Sequence, residues 1–104
     1  MATIPAPVAR ERATRPTLVF FASPVSGQSR RVEGFLAQVL QRRRNHGTFR
    51  LRVVDGDRDG ELVEQFNVTE LPTLVVVEDQ TVKARLVQPR GCRDIEALLS
   101  PWLK

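Results

Sequence analysis

The chain has 104 residues, of which 41% are apolar and 27% are charged, so it is long enough for one small domain with a single core. No apolar run approaches the roughly 18 residues of a membrane-spanning helix, and a single cysteine excludes a disulfide within the chain. The net charge of +4 comes from arginines that are dispersed except at Arg42-Arg43-Arg44, which argues against specific nucleic-acid binding.

The first 16 residues contain prolines and scattered charges, but no apolar segment of the kind found in signal peptides. We therefore expect a flexible leader over residues 1–16, a folded domain over residues 17–104 and a cytoplasmic location. The single cysteine, Cys92, is consistent with that location, because reducing compartments disfavour disulfides.

Apolar patterning predicts three elements in the first half of the domain. Thr17–Ala22 is a continuous apolar run, which is typical of a strand buried on both faces. After the turn-forming residues of Ser23–Ser29, apolar residues recur at helical spacing, which predicts a helix from about Ser26 to Arg44. Phe49–Val54 alternates between apolar and polar residues and predicts a second strand.

The second half predicts a short helix, a hairpin of two strands and a closing helix. The short helix is capped by Asp57 or Asp59, the strands are Thr73–Val77 and Thr81–Val87, and the closing helix is Asp94–Leu103. A helix between strands implies a parallel crossover, whereas the short hairpin turn joins an antiparallel pair. The order β-α-β-α-β-β-α therefore predicts an α/β protein with a mixed four-stranded sheet flanked by helices.

Two segments carry a resemblance to a known family. Ser26-Gly27-Gln28-Ser29 follows the apolar strand that ends in Phe20-Phe21-Ala22, and the stretch Phe66–Leu74 contains a Leu-Pro-Thr sequence. Together they resemble the thioredoxin family, and the resemblance extends over nearly all of the predicted domain. Ser26 and Ser29 fall on the two positions of the family's Cys-x-x-Cys motif. The resemblance implies a thioredoxin-like fold.

The chain departs from the family pattern at the residues that carry its redox chemistry. Both motif cysteines are serines, and a hydroxyl neither forms a disulfide nor imitates a thiolate. The family's buried acid aligns with Val19, the tryptophan before its first cysteine with Val25, and the lysine after its second cysteine with Arg30. These departures predict a thioredoxin-like domain without the redox dithiol, acting as a non-catalytic binding or accessory module. The alternative is a thiol–disulfide oxidoreductase of the family whose active-site cysteines have been substituted by serine.

The resemblance also implies a cis bond between Leu71 and Pro72, beside which the backbone can pair with an extended peptide. Main-chain pairing needs no side-chain chemistry, so it does not depend on the missing thiols. We therefore expect the partner to be a protein or an extended peptide, with no cofactor and no metal. The predicted binding surface consists of Pro24, Val25, Ser26, Gly27, Gln28, Ser29, Leu71, Pro72 and Thr73.

The start of the first helix has two further interpretations. Ser26 is a favoured N-cap residue, whose hydroxyl accepts a hydrogen bond from a free amide of the first turn. The same free amides could hold a small anion, because Gly27 allows close approach and Arg30-Arg31 lies nearby. Nucleophilic catalysis by serine is excluded, because the only histidine, His46, lies at the far end of the helix.

Two other motifs are weak signals. Asp55–Gly60 resembles the first half of an EF-hand calcium loop, but the twelfth position, which must supply a glutamate, is Phe66. Cys92 has no resolving partner, so we interpret it as a structural or incidental cysteine rather than as a redox sensor.

Overall fold

The structure is a computed structural model that describes residues 15–103, without the side chains of Arg43 and His46. The expected leader therefore lies outside the described residues, except for Arg15 and Pro16. Pro16 is buried, and its carbonyl accepts a hydrogen bond from the Arg50 N–H at 2.9 Å. In chain order the elements are β1 (Thr17–Ala22), α1 (Gly27–Gln41), a 3-10 segment (Arg42–Gly47), β2 (Arg50–Asp55), α2 (Gly60–Gln65), β3 (Thr73–Glu78), β4 (Thr81–Val87) and α3 (Cys92–Leu99).

The predicted order of elements is confirmed, as is the mixed four-stranded sheet. The strands lie in the order β2-β1-β3-β4, with β1 parallel to β2 and antiparallel to β3. β4 pairs antiparallel with β3 after the tight turn at Asp79-Gln80, where both residues have positive φ. β1 and β3 are the central strands, which explains why their sequences are almost continuously apolar.

Helices cover both faces of the sheet, because alternate side chains of the central strands point in opposite directions. Leu18 and Phe20 of β1 pack with α1 and α3 in the larger cluster, whose other buried members are Val32, Leu36, Val39, Leu40, Phe49, Leu74, Val76, Ile95 and Leu99. Val19 and Phe21 belong to the smaller cluster on the other face, which α2 covers. There the rings of Phe21 and Phe66 lie 5.6 Å apart.

The first helix ends earlier than the apolar pattern predicts. It stops at Gln41 instead of Arg44, and the chain continues as a 3-10 segment. Within that segment, the side-chain amide of Asn45 donates to the Arg42 carbonyl at 2.7 Å. This bond satisfies a carbonyl that the next helical turn would otherwise use, so it favours the tighter turn.

The closing helix begins and ends before the predicted bounds, spanning Cys92–Leu99 instead of Asp94–Leu103. Pro101 accounts for the early end, because proline has no backbone N–H to donate to the carbonyl four residues earlier. Ser100 itself still has helical backbone angles, with φ −53° and ψ −35°. No helix found within residues 15–103 is both long enough and apolar enough to cross a membrane.

Candidate functional site

The predicted binding surface lies at one end of the sheet. The loop after β1 carries Pro24–Ser29, and Leu71-Pro72 leads into β3. These two segments are neighbours, because Phe21 near the end of β1 pairs with Thr73 at the start of β3. We call the surface formed by Pro24–Ser29 and Leu71–Thr73 the motif surface.

Two further loops flank the motif surface at the same end of the sheet. The acidic loop, Asp55–Asp59, follows β2, which runs parallel to β1. The loop Gln88–Gly91 follows β4, whose last residue pairs with the first residue of β3. Because the strand order is β2-β1-β3-β4, these two loops lie on opposite sides of the motif surface.

Ser26 begins α1. Its backbone is extended, with φ −95° and ψ 125°, and its Oγ accepts a hydrogen bond from the Ser29 N–H at 3.2 Å. The Ser26 carbonyl accepts from the Arg30 N–H at 3.3 Å. This geometry confirms the predicted N-cap, and it gives the Ser26 hydroxyl a local structural role.

Ser29 lies below the surface, with only 4% of it exposed. Its Oγ accepts a hydrogen bond from the buried Ser23 N–H at 2.9 Å, while the Ser26 N–H donates to the Ser23 carbonyl at 3.1 Å. A buried N–H without an acceptor is costly, so the Ser29 hydroxyl stabilises the loop that it closes.

The acidic loop is bonded to the loop after β1. Ser23 Oγ donates to Asp57 Oδ2 at 2.6 Å. Asp59 is the N-cap of α2. The sequence left open whether Asp57 or Asp59 caps that helix, and the structure selects Asp59, because the Asp57 carboxylate accepts from Ser23 instead.

Gly56 brings the acidic loop into contact with Leu71. Its N–H donates to the Ala22 carbonyl at 2.8 Å. A Cβ at position 56 would lie 2.6 Å from Cδ2 of Leu71 and 2.7 Å from Cδ1, which is closer than van der Waals contact allows. Glycine therefore permits this close approach, whereas any larger residue at position 56 would force the Leu71 side chain to shift.

The Leu71–Pro72 peptide bond is cis. Gln88 contacts this segment from the other side: its N–H donates to the Pro72 carbonyl at 2.8 Å, and its Nε2 donates to the Leu71 carbonyl at 3.1 Å. The hydroxyl of Thr73 donates to the Glu70 carbonyl at 2.6 Å. Among residues 15–103 the Leu71 N–H has no hydrogen-bond acceptor.

The predicted binding residues differ in exposure. Val25 is the most exposed large apolar residue of the described chain, at 90%. The other exposed residues of the surface are Pro24, Gly27 and Gln28. A second group, Ser26 and Leu71, is half-buried, and a third, Ser29, Pro72 and Thr73, is buried. A partner can therefore touch the first two groups, and the buried residues support them from below.

Two cavities adjoin the motif surface. The first, of about 330 Å³, lies between α1 and β2, and its lining includes Pro24, Arg30 and Val53. The second, of about 260 Å³, lies between α1 and the Gln88–Gly91 loop. We call this second cavity the arginine pocket; its lining consists of Gln28, Arg31, Val32, Phe35, Pro89 and Arg90.

Other residues singled out by the sequence have different surroundings. Cys92 is the first residue of α3, and its Sγ donates to Gln38 Oε1 of α1 at 3.2 Å. His46 lies in the 3-10 segment beyond α1, which is about 22 Å long at the usual rise per residue. Val19 is buried in the apolar cluster beneath α2. Within the described part of the chain, no three His, Cys, Asp or Glu residues are grouped to hold a metal ion.

Sequence reasoning missed four residues that shape the site, namely Ser23, Gly56, Asp57 and Gln88. Each acts through a residue distant in the chain, such as Ser23 with Asp57 over 34 positions and Gln88 with Leu71 over 17. The one usable signal was a glycine between two aspartates directly after a strand, which marks a tight loop.

Comparison with protein families gives one match over most of the chain. A family model described as Thioredoxin matches residues 7–101. Among curated proteins, no relative matches the sequence. The matched range includes the Ser26–Ser29 motif, the Leu71-Pro72 segment and every helix and strand described above.

Solved structures share the fold at low sequence identity. Thioredoxin of Fasciola hepatica is 18% identical, with 92% of this chain and 88% of that chain covered at a TM-score of 0.71. Thioredoxin of Plasmodium falciparum is also 18% identical, with 89% of each chain covered at a TM-score of 0.73. Trxlp of Edwardsiella tarda is 19% identical, with 95% of each chain covered at a TM-score of 0.71. These likenesses confirm the fold predicted from the sequence.

Proposed function

Because the chain belongs to the thioredoxin family, we propose that it is a non-catalytic member that binds an extended segment of a partner protein at the motif surface. The observation that carries the proposal is that both motif hydroxyls accept hydrogen bonds from the local backbone. The Ser26 hydroxyl caps α1, and the Ser29 hydroxyl is buried against the Ser23 N–H. Both oxygens serve the local structure.

The chemistry of the chain supports the same proposal. Thiol–disulfide exchange requires one thiolate that attacks a disulfide and a second thiol that resolves the mixed disulfide. The sequence holds a single cysteine, Cys92, whose thiol donates to Gln38 on α1. The motif therefore supplies neither sulfur. An unpaired cysteine also supports the cytoplasmic location that we include in the proposal.

The backbone of the motif surface supports binding of an extended peptide. The Leu71 N–H lacks an acceptor within residues 15–103, and the Leu71 carbonyl accepts one bond from Gln88, which leaves a second lone pair. An extended segment presents both an N–H and a carbonyl to such a residue, so it can pair with both groups. The exposed side chain of Val25 offers an apolar contact to the same segment.

A random-peptide phage library, panned on the full chain, tests this proposal. Recovered peptides are titrated into isotope-labelled protein, and we expect the amide shifts to concentrate at Val25–Ser29 and at Leu71 and Thr73. Val25→Asp should weaken binding by about fivefold or more, because it places a charge at an apolar contact. Val82→Asp is the control, since Val82 is an exposed valine on β4. Shifts that map elsewhere would contradict the proposal.

The alternative function, an oxidoreductase whose active-site cysteines have been substituted by serine, is supported by the position of Ser26 and Ser29 at the start of α1. The variant Ser26→Cys/Ser29→Cys tests it by the reduction of insulin disulfides, measured above the background of dithiothreitol. The single variant Ser26→Cys is the control. Turnover by the double variant alone would support the alternative, whereas a folded dithiol form without turnover supports the binding module, which is the result we expect.

A further inference from the structure

Arg31 and Arg90 line the arginine pocket, and neither has an acidic partner among residues 15–103. Apolar walls come from Val32, Phe35 and Pro89, and polar side chains come from Gln28, Arg31 and Arg90. The ion pairs recorded within residues 15–103 are Arg42–Glu96 and Arg58–Asp55. No carboxylate oxygen of the described residues therefore lies within 4.0 Å of the guanidinium of Arg31 or Arg90.

Asp94, which is hydrogen-bonded to the loop of the pocket, does not neutralise the charge of the two guanidiniums. Asp94, in the first turn of α3, accepts a hydrogen bond from the backbone N–H of Arg90 at 2.9 Å. Its carboxylate thus stabilises the loop backbone and leaves the guanidinium unpaired. An anion that enters the cavity meets two positively charged side chains and no acidic residue in the lining.

The arginine pocket adjoins the motif surface. Gln88, which donates to the carbonyls of Leu71 and Pro72, is two residues from Arg90, a span of at most about 7 Å. Gln28 belongs to both the motif surface and the pocket lining. A peptide that pairs with Leu71 therefore reaches the pocket within two or three residues, because an extended chain advances about 3.3 Å per residue.

We propose that the partner's extended segment carries an aspartate or glutamate whose carboxylate enters the arginine pocket and pairs with Arg31 and Arg90. The inference rests on the proposed function and names the chemistry of the partner. A guanidinium matches a carboxylate with two parallel hydrogen bonds.

The acidic loop on the opposite side favours one direction of the segment. Asp55, Asp57 and Asp59 lie there with one cation, Arg58, which pairs with Asp55 at 3.9 Å, so the loop keeps a net negative charge. An acidic side chain is repelled on that side of the motif surface and attracted on the other. The charges that flank the motif surface therefore favour a single orientation of an acidic segment.

Parallel panning of the peptide library tests the inference. The targets are the wild type, Arg31→Glu/Arg90→Glu and the charge-matched control Arg50→Glu/Arg52→Glu, whose substituted residues are exposed on β2. Peptides from the wild type and the control should share one position rich in aspartate or glutamate. Peptides from Arg31→Glu/Arg90→Glu should carry lysine or arginine there, because the pocket is then negative.

One recovered acidic peptide is then titrated by fluorescence anisotropy. Its affinity should fall about tenfold or more in Arg31→Glu/Arg90→Glu and change less than about twofold in the control. Peptides that map to the motif surface without an acidic position would overturn the inference and leave the proposed function intact. Recovery of no peptide would overturn both. Binding of an oligothymidylate that only Arg31→Glu/Arg90→Glu abolishes, without any acidic peptide preference, would assign the pocket to nucleic acid and also overturn the inference.

Discussion

The two sides of the motif surface use their charged residues differently. On the acidic side, Asp57 accepts a hydrogen bond from Ser23, and Asp59 caps α2. On the other side, Arg31 and Arg90 line a cavity without an ionic partner among residues 15–103. Asp57 and Asp59 therefore stabilise the fold through their carboxylates, whereas the guanidiniums of Arg31 and Arg90 form no ion pair within residues 15–103. An unpaired charge does not by itself mark a binding site, since Arg50 and Arg52 are also without an ion pair among residues 15–103; Arg31 and Arg90 differ because they line a cavity beside the motif surface.

We expect the largest loss of stability when the Ser29 hydroxyl is removed. This hydroxyl lies inside the loop after β1, which is hydrogen-bonded to the acidic loop. Ser29→Ala leaves the buried Ser23 N–H without its acceptor, which should cost about 1–3 kcal/mol of unfolding free energy. Urea denaturation followed by circular dichroism measures this loss. Ser100→Ala, at an exposed serine after α3, is the control and should change stability by less than about 0.5 kcal/mol. Equal effects of the two variants would contradict a structural role for Ser29.

A smaller effect is expected where the acidic loop packs on Leu71. Gly56→Ala places a Cβ 2.6 Å from Cδ2 of Leu71, so Leu71 must shift. We expect a destabilisation of about 1 kcal/mol together with weaker peptide binding. Gly60→Ala is the matched control, because nothing lies within 4 Å of its new Cβ. It should stabilise the protein by about 0.4–1 kcal/mol through its effect on the unfolded chain. Melting temperatures that move in the same direction for both variants would refute this packing.

The fold was predictable where its determinants lie close together in the chain. Thr17–Ala22 and Thr73–Val77 are apolar runs without a charged residue, which is the pattern of central strands, and the structure confirms both. The end of α1 was not predictable in the same way. The helix ends where the Arg42 backbone becomes extended, and the Asn45 side chain stabilises the segment that follows by its bond to the Arg42 carbonyl; residue spacing reports neither feature.

In the candidate site, too, the sequence predicted the roles that depend on neighbouring residues and missed those that depend on tertiary packing. Ser26 was predicted as an N-cap from its residue type and its place before a helix, and the structure confirms it. The role of Ser29 was not predicted, because its bond to the Ser23 N–H depends on how the loop folds back. The arginine pocket joins residues of α1 to Arg90 near the other end of the chain, so only tertiary packing reveals it.

Removal of the hydrogen bond between Ser23 and Asp57, which joins the loop after β1 to the acidic loop, is expected to have a moderate effect on stability. Ser23→Ala and Asp57→Asn should each cost about 0.5–1.5 kcal/mol, because each weakens or removes one hydrogen bond. The double variant should lose less than the sum, since both substitutions act on the same bond. Chemical denaturation of the four proteins measures the coupling. Strictly additive losses would show that the bond contributes nothing to stability.

The smallest change in stability is expected at the arginine pocket, and it is the result that separates the two sides most clearly. Arg31 and Arg90 are exposed and form no ion pair within the described residues. Arg31→Glu/Arg90→Glu should therefore change the free energy of unfolding by less than about 0.5 kcal/mol, while it reduces binding of acidic peptides. Thermal denaturation beside the charge-matched Arg50→Glu/Arg52→Glu variant controls for the change in net charge. An unpaired surface charge has no internal bond to lose, so its removal should cost little stability. A destabilisation above about 1 kcal/mol in the pocket variant alone would therefore show that the guanidiniums stabilise the fold.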